Sequence, residues 1–250
     1  MNRSSRVVVG VAMMVSCVGA ASAADLKVFG SRVTKMVVGD LGAGFERATG
    51  NKLTVVTDVA AVIKRRIEQD EPFDVAVLVD FQADELIRAG KLVPGSRVDV
   101  MKAGIGVAVK RGAPKPDIST VAAFKQTLLN AKSITYLKEG ASTRHLVKVL
   151  AQLGIADALE PKTVKPATES VSEMVAAGEV EIGIIVIPNI LSVPGAELVG
   201  PLPQEIQSYI TFTAAVSAQS ANQSAARQVI KLLQSPAGVQ SIKAKGMQIP

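Results

Sequence analysis

Residues 25–57 read DLKVFGSRVTKMVVGDLGAGFERATGNKLTVVT, and this stretch decides the fold class. Leu26 to Phe29 is a short apolar strand. From about Val33 to Ala48 the pattern turns helical, and it ends at Gly50. Leu53 to Thr57 is strand-like again, compact and β-branched. Further on, Ala60, Ile63 and Ile67 fall at helical spacing, while Lys64, Arg65, Arg66 and Glu68 take mostly other faces as a solvated, charged side. Pro72 breaks that helix, Asp74 to Val79 forms a third strand, and residues 81–89 form a helix that ends at Gly90. Strands and helices alternating in this way build a parallel sheet with helices on its faces. The expected class is α/β.

The alternation resumes after a break. Gly104 to Lys110 is a strand rich in Gly and Val, and Gly112-Ala113-Pro114-Lys115-Pro116 marks a boundary. A second unit follows with helix 119–129, strand 133–136, helices 142–153 and 169–177, and strand 181–187. Pro188, Pro194, Pro201 and Pro203 punctuate the next region. Tyr209 to Ser217 is a long strand, and helices at about 222–234 and 236–244 complete the pattern. Two α/β units and a tail predict two lobes joined by more than one crossing strand.

The first 23 residues are of another kind. Arg3 and Arg6 precede the uncharged apolar run Val7 to Val18, and Ala21-Ser22-Ala23 is a small-x-small cleavage site. They read as a cleavable signal peptide, which places the mature chain in the periplasm. A lipid-bearing Cys17 is the alternative, but Val15-Ser16 is a poor approach to a lipidated cysteine. Cleavage after Ala23 removes the only cysteine, which excludes disulfides, thiol catalysis and zinc–thiolate sites. It also leaves 26 basic residues (28 less Arg3 and Arg6) against 22 acidic ones. That mildly basic balance suits a small anionic ligand better than nucleic acid, since no dense Lys/Arg tract interleaved with aromatics is present. Aromatics are few, with six Phe, two Tyr and no Trp. The core must therefore be aliphatic, and a sugar-stacking cleft is disfavoured.

Ligands of open α/β sheets sit outside the carboxyl ends of the strands, where loops lead into helix N-termini. Four loops meet that rule. They are Gly30-Ser31-Arg32, then Asp58-Val59-Ala60-Ala61, then Gly140-Ala141-Ser142-Thr143-Arg144-His145, and Thr168-Glu169-Ser170-Val171. Ser142 and Asp58 also read as plain N-caps, and Ser170 with Glu173 as a capping box. Arg32, directly after a short buried strand, calls for a carboxylate or a ligand, and Arg144 is its counterpart in the second unit. His145, the one histidine, reads equally as a packed or surface residue. No G-x-S-x-G, P-loop or H-E-x-x-H motif is present, and Gly42-Ala43-Gly44 lies inside a helix rather than at its start. The expectation is a non-enzymatic binder without metal or cofactor.

Several of these stretches resemble the molybdate-type periplasmic binding proteins. The likeness is carried by the strand before Ser31-Arg32-Val33-Thr34, by Arg66-Ile67-Glu68 through Pro72-Phe73-Asp74-Val75, and by Ala89-Gly90-Lys91-Leu92. It continues in Ala176-Ala177-Gly178-Glu179, Ile182-Gly183-Ile184-Ile185 and Leu232-Leu233-Gln234-Ser235-Pro236. The resemblance implies a two-lobed type II periplasmic-binding-protein fold with mixed, mostly parallel sheets and crossing hinge strands. It divides the mature chain into a first lobe (24–105), a second lobe (106–208) and a return strand with helices packing on the first lobe (209–250). It further implies a monomer that closes on its ligand and delivers it to an ABC transporter permease in the inner membrane. The same fold also serves sensory receptors.

That family holds its oxyanion with hydroxyls and backbone N–H groups. Here Arg32 falls where the family has a serine, Ala60 and Ala61 replace a serine run, and Val186 replaces a tyrosine. Ser142 and Val171 lie at or near the remaining contacts. The expected ligand residues are thus Ser31, Arg32, Ala60, Ala61, Ser142, Thr143, Arg144, His145, Val171 and Val186. Fewer hydroxyls and added guanidinium charge suit an organic di- or tricarboxylate, held by Arg32 from one lobe and Arg144 from the other. Molybdate or tungstate is the alternative.

Overall fold

A computed structural model describes residues 23–250. The signal-peptide reading, apart from Ala23, lies outside the described residues. Strand β1 (Asp25–Gly30), helix α1 (Arg32–Thr49), strand β2 (Lys52–Thr57), helix α2 (Ala60–Glu68), strand β3 (Val75–Val79) and helix α3 (Asp80–Arg88) follow the predicted order. β1 runs parallel to both β2 and β3. α1 forms because Val33, Val37, Val38, Leu41 and Phe45 make one buried stripe. It stops at Gly50, whose φ of 75° reaches a conformation costly for residues with a Cβ. All five residues of β3 are buried, as expected of a strand covered on both faces.

The lobes share one long strand. β4 (Val98–Lys110) pairs antiparallel with β9 (Tyr209–Val216) through Gly104, then with β7 (Ile182–Val186) from Ile105 onward. It begins six residues before the predicted start because Asp99 and Lys102 interrupt the apolar run. Asp99 is satisfied in place, by the Thr213 hydroxyl at 2.6 Å and Arg97 at 3.1 Å. At the crossover Ile105 is paired on its β9 side by a side chain. The Gln207 amide accepts from its N–H at 3.0 Å and donates to its C=O at 2.9 Å.

The second lobe holds α4 (Val121–Asn130), β5 (Ile134–Thr135), α5 (Thr143–Gln152), α6 (Ala156–Leu159), β6 (Thr163–Val164), α7 (Val171–Ala177), β7, α8 (Ile187–Leu191) and β8 (Ala196–Pro201). The strand order is β2-β1-β3-β9-β4-β7-β5-β6, with β8 also paired to β4. α8 and β8 lie in the proline-punctuated region, where no element was predicted. Pro188 is tolerated there because it occupies the first turn of α8, where its missing N–H costs nothing. α9 (Gln223–Gln234) and α10 (Pro236–Ala244) pack on α1. Asp40 of α1 ties α10 down by accepting from Ser241 at 2.7 Å and pairing with Lys245 at 2.9 Å. Among the described residues no helix is long and apolar enough to cross a membrane.

Gly30 fixes the geometry from which the site is built. A Cβ there would lie 2.4 Å from the Thr34 hydroxyl oxygen and 2.6 Å from the Thr34 Cβ, both fully buried. Gly30→Ala must therefore push the first turn of α1 away from β1. A loss of about 1–3 kcal/mol in urea unfolding is expected, the usual range for overpacking.

Candidate functional site

The strand ends of the two lobes face one another across a cleft. At its centre is an enclosed cavity of about 20 Å³, space for a single water-sized group. Ser31, Val59 and Ala60 line it from the first lobe, Phe212 from β9, and Gly140, Ala141, Ser142, Glu169, Val186 and Asn189 from the second. Two roomier depressions, about 650 and 750 Å³, lie elsewhere on the second lobe, around Lys110 and Pro116. They lack the convergence of helix N-termini and strand ends that makes the cleft the candidate.

α1, α2 and α5 begin at this cleft, each leaving early N–H groups without helical partners. Asn189, a residue 96% buried, contributes a side-chain carbonyl that has no partner among the described residues. A buried orphan of this kind costs about 1–3 kcal/mol unless something bonds to it. The cavity thus offers an unpaired acceptor to a hydrogen-bond donor.

One polar group already occupies its edge. Both carboxylate oxygens of Glu169 accept from the Arg32 N–H, at 3.0 and 3.2 Å, at the start of α1. Arg32 also donates from its guanidinium to the Glu169 carbonyl and pairs with Glu173 at 2.5 Å. Burial pushes the Glu169 carboxyl up to about 7. The Arg32 N–H and charge oppose that rise, while the nearby Asp58 and Glu173 add to it. Outside Glu169 lies an open pocket of about 590 Å³ lined by Arg32, Lys35, Thr57, Asp58, Thr168, Ser170 and Glu173. Glu169 lines both spaces.

Two further contacts cross the cleft. Arg65 pairs with Glu139 at 2.8 Å, and the Arg144 guanidinium lies 3.8 Å from the centre of the Phe81 ring. Exposed pairs such as Arg65–Glu139 contribute little individually, but they register the lobes against each other. The Lys64-Arg65-Arg66 face is therefore not merely solvated. Lys64 pairs with Glu68, and Arg66 with Glu71 while covering the Phe29 ring at 5.0 Å.

Four of the expected ligand residues, Ser31, Ala60, Ser142 and Val186, line the cavity, and Arg32 lines the outer pocket. Ala61 and the fully buried Val171 are outside both linings. The Thr143 hydroxyl closes its own loop, accepting from Gly140 N–H at 2.9 Å and donating to Leu137 C=O at 2.8 Å. Arg144 points to Phe81, and His145 Nε2 bonds the Ile206 carbonyl at 2.8 Å. The Ser170–Glu173 capping box does not form, because Glu173 is drawn across the cleft to Arg32 and the Ser170 hydroxyl turns to Thr168. Asp58 accepts from the N–H of Val59, which is itself the cap of α2, and Ser142 caps α5 without a side-chain bond. Glu169 lay in a predicted loop but was not singled out. Asn189 was missed, although a lone amide in the apolar run Ile187-Pro188-Asn189-Ile190 was a usable signal.

The model of a family described as bacterial extracellular solute-binding protein matches residues 26–248. An aconitate isomerase of Pseudomonas sp is 32% identical over 215 residues, covering 84% of this chain and 82% of that protein. The molybdate-binding protein ModA of Rhodobacter capsulatus is 25% identical over 209 residues, covering 83% and 81%. The solved periplasmic molybdate-binding protein of Azotobacter vinelandii superposes with a TM-score of 0.77 at 20% identity, over 90% of this chain and all of that one.

Proposed function

We propose, for a chain that belongs to the bacterial extracellular solute-binding protein family, that it captures an organic di- or tricarboxylate between its lobes and delivers it from the periplasm to an ABC importer. One observation carries this reading. The anion position at the start of α1 is filled by a carboxylate, that of Glu169, with the Arg32 guanidinium alongside. A ligand carboxylate exchanges for it in kind, and guanidinium binds carboxylate bidentately. The lining supports the same reading, since Ser31 and Ser142 are its only hydroxyl residues among Ala60, Ala141, Val186 and other apolar neighbours. A tetrahedral oxyanion needs donors on every side.

Size fits this exchange. The enclosed cavity is too small for an organic acid, but displacing Glu169, which lines both spaces, would open it toward the outer pocket. Arg32 is then the principal ligand residue. Arg144 acts from the rim, releasing Phe81 as the cleft opens.

Titration calorimetry with citrate, succinate, both aconitate isomers and molybdate tests the proposal. Tricarboxylate binding is expected, weakened about 10- to 100-fold in Arg32→Ala, as for loss of a charge-assisted hydrogen bond. Tight molybdate binding that survives Arg32→Ala would sink it.

A second reading is favoured by the likeness to an aconitate isomerase at 32% identity. On that reading the bound acid is also isomerised.

A further inference from the structure

We infer that Glu169 is the acid–base group of this cleft, moving a proton between two carbons of a bound unsaturated tricarboxylate. The inference rests on the second reading above. Glu169 is the one ionisable residue among those lining the enclosed cavity. Among the described residues its carboxylate is held only by the Arg32 N–H, while the guanidinium bonds the Glu169 backbone carbonyl and Glu173. Among the described residues no cation pairs with the carboxylate, and the Arg32 charge acts on it only from alongside, so it can take a proton. The groups facing it are Arg32 and Lys35 of α1, Asp58 after β2 and Glu173 of α7. With its pKa raised to about 7 by burial, it exchanges protons at neutral pH.

The step balances without any co-reactant. Glu169 accepts the proton of a CH2 that lies between a carboxylate and the C=C bond. The C–H electron pair spreads over the allyl unit and its carboxylates, where the Arg32 charge and the N–H groups of α1 stabilise it. The same proton then forms a C–H bond at the other end of the allyl unit, and the double bond has moved. Such a shift needs one carboxyl group and no nucleophile. A search for nucleophile–base pairs in the sequence is blind to it.

The full mature chain is incubated with trans- or cis-aconitate in D2O and followed by proton NMR, with binding measured separately by calorimetry. The wild type is expected to equilibrate the isomers and to exchange CH2 protons for deuterium, with kcat/KM rising as pH passes about 7. Glu169→Gln is expected to lose about 10²- to 10⁴-fold in turnover and to keep its affinity within about tenfold. Glu169→Asp, which keeps the acid, is expected to retain part of the rate. Binding without isomerisation or exchange overturns the inference and leaves the transport reading intact. Turnover by Glu169→Gln within tenfold of wild type overturns it equally. Failure to bind any tricarboxylate overturns both, and the calorimeter alone reports it.

Discussion

Phe29→Ala is expected to lower stability by about 3–5 kcal/mol, the range for deleting a buried aromatic ring. Phe29 is fully buried, and its ring stacks on Phe73 with centroids 5.1 Å apart. The Arg66 guanidinium sits over the Phe29 ring, 5.0 Å from its centre. Around them, Ile63 and Ile67 of α2 and Ala83 and Leu86 of α3 complete the core on this face of the sheet. The backbone of Phe29 is paired on both sides, to Val56 and Ala76, so β1 cannot shift to fill the void. Urea unfolding should show a lower midpoint with an unchanged slope. Ligand affinity should fall as well, because Phe29 is followed directly by Gly30, Ser31 and Arg32. A loss below about 1 kcal/mol would mean that this core can collapse around the gap.

The second large effect is on the pH dependence of stability. Glu169 has a folded-state pKa of about 7 against an ordinary value of 4.5. Between those values the folded protein holds a proton that the unfolded chain has released. The contribution is therefore fully present below the ordinary value and is lost as pH rises through about 7. The shift corresponds to at most about 3 kcal/mol, less if the cleft opens and wets the carboxylate. Glu169→Gln should match wild type in acid and exceed it in stability at mildly alkaline pH. The comparison must be wild type against variant. Asp40 and Glu71, whose pKa values are lowered by Ser241 and Arg66 respectively, act in the opposite sense and lose their contribution as pH falls. Chemical denaturation of both proteins across this range measures the difference. Parallel pH profiles would contradict the assignment.

Local periodicity made most of the fold legible. The first six elements follow from the apolar spacing of residues 25–89, because each buries one clear stripe or run, except the half-buried edge strand β2. β4 was seen only in part, since Asp99 and Lys102 are charges whose partners lie far along the chain. α8 and β8 were hidden by prolines that turn out to sit in a first helical turn and at a strand end.

The candidate cleft was legible to the extent that strand ends define it, which gave Ser31, Ala60, Ser142 and Val186 as lining residues. Side-chain direction decided the rest. In α5 the buried stripe is Leu146, Val149 and Leu150, and helical spacing turns Arg144 outward to Phe81. Glu173 reads as a local capping residue and Glu169 as an ordinary loop residue, because nothing in the sequence reports that Arg32, 137 residues before Glu169, faces them. Their role depends on how the two lobes meet.

The most direct test is a crystal structure of the protein grown with a tricarboxylate. A ligand carboxylate is predicted at the N-terminus of α1, bonded to the Arg32 N–H and guanidinium. The Glu169 side chain should be displaced from that position, and Asn189 bonded to the ligand. A structure with Glu169 still on the Arg32 N–H and the acid bound elsewhere would contradict the account.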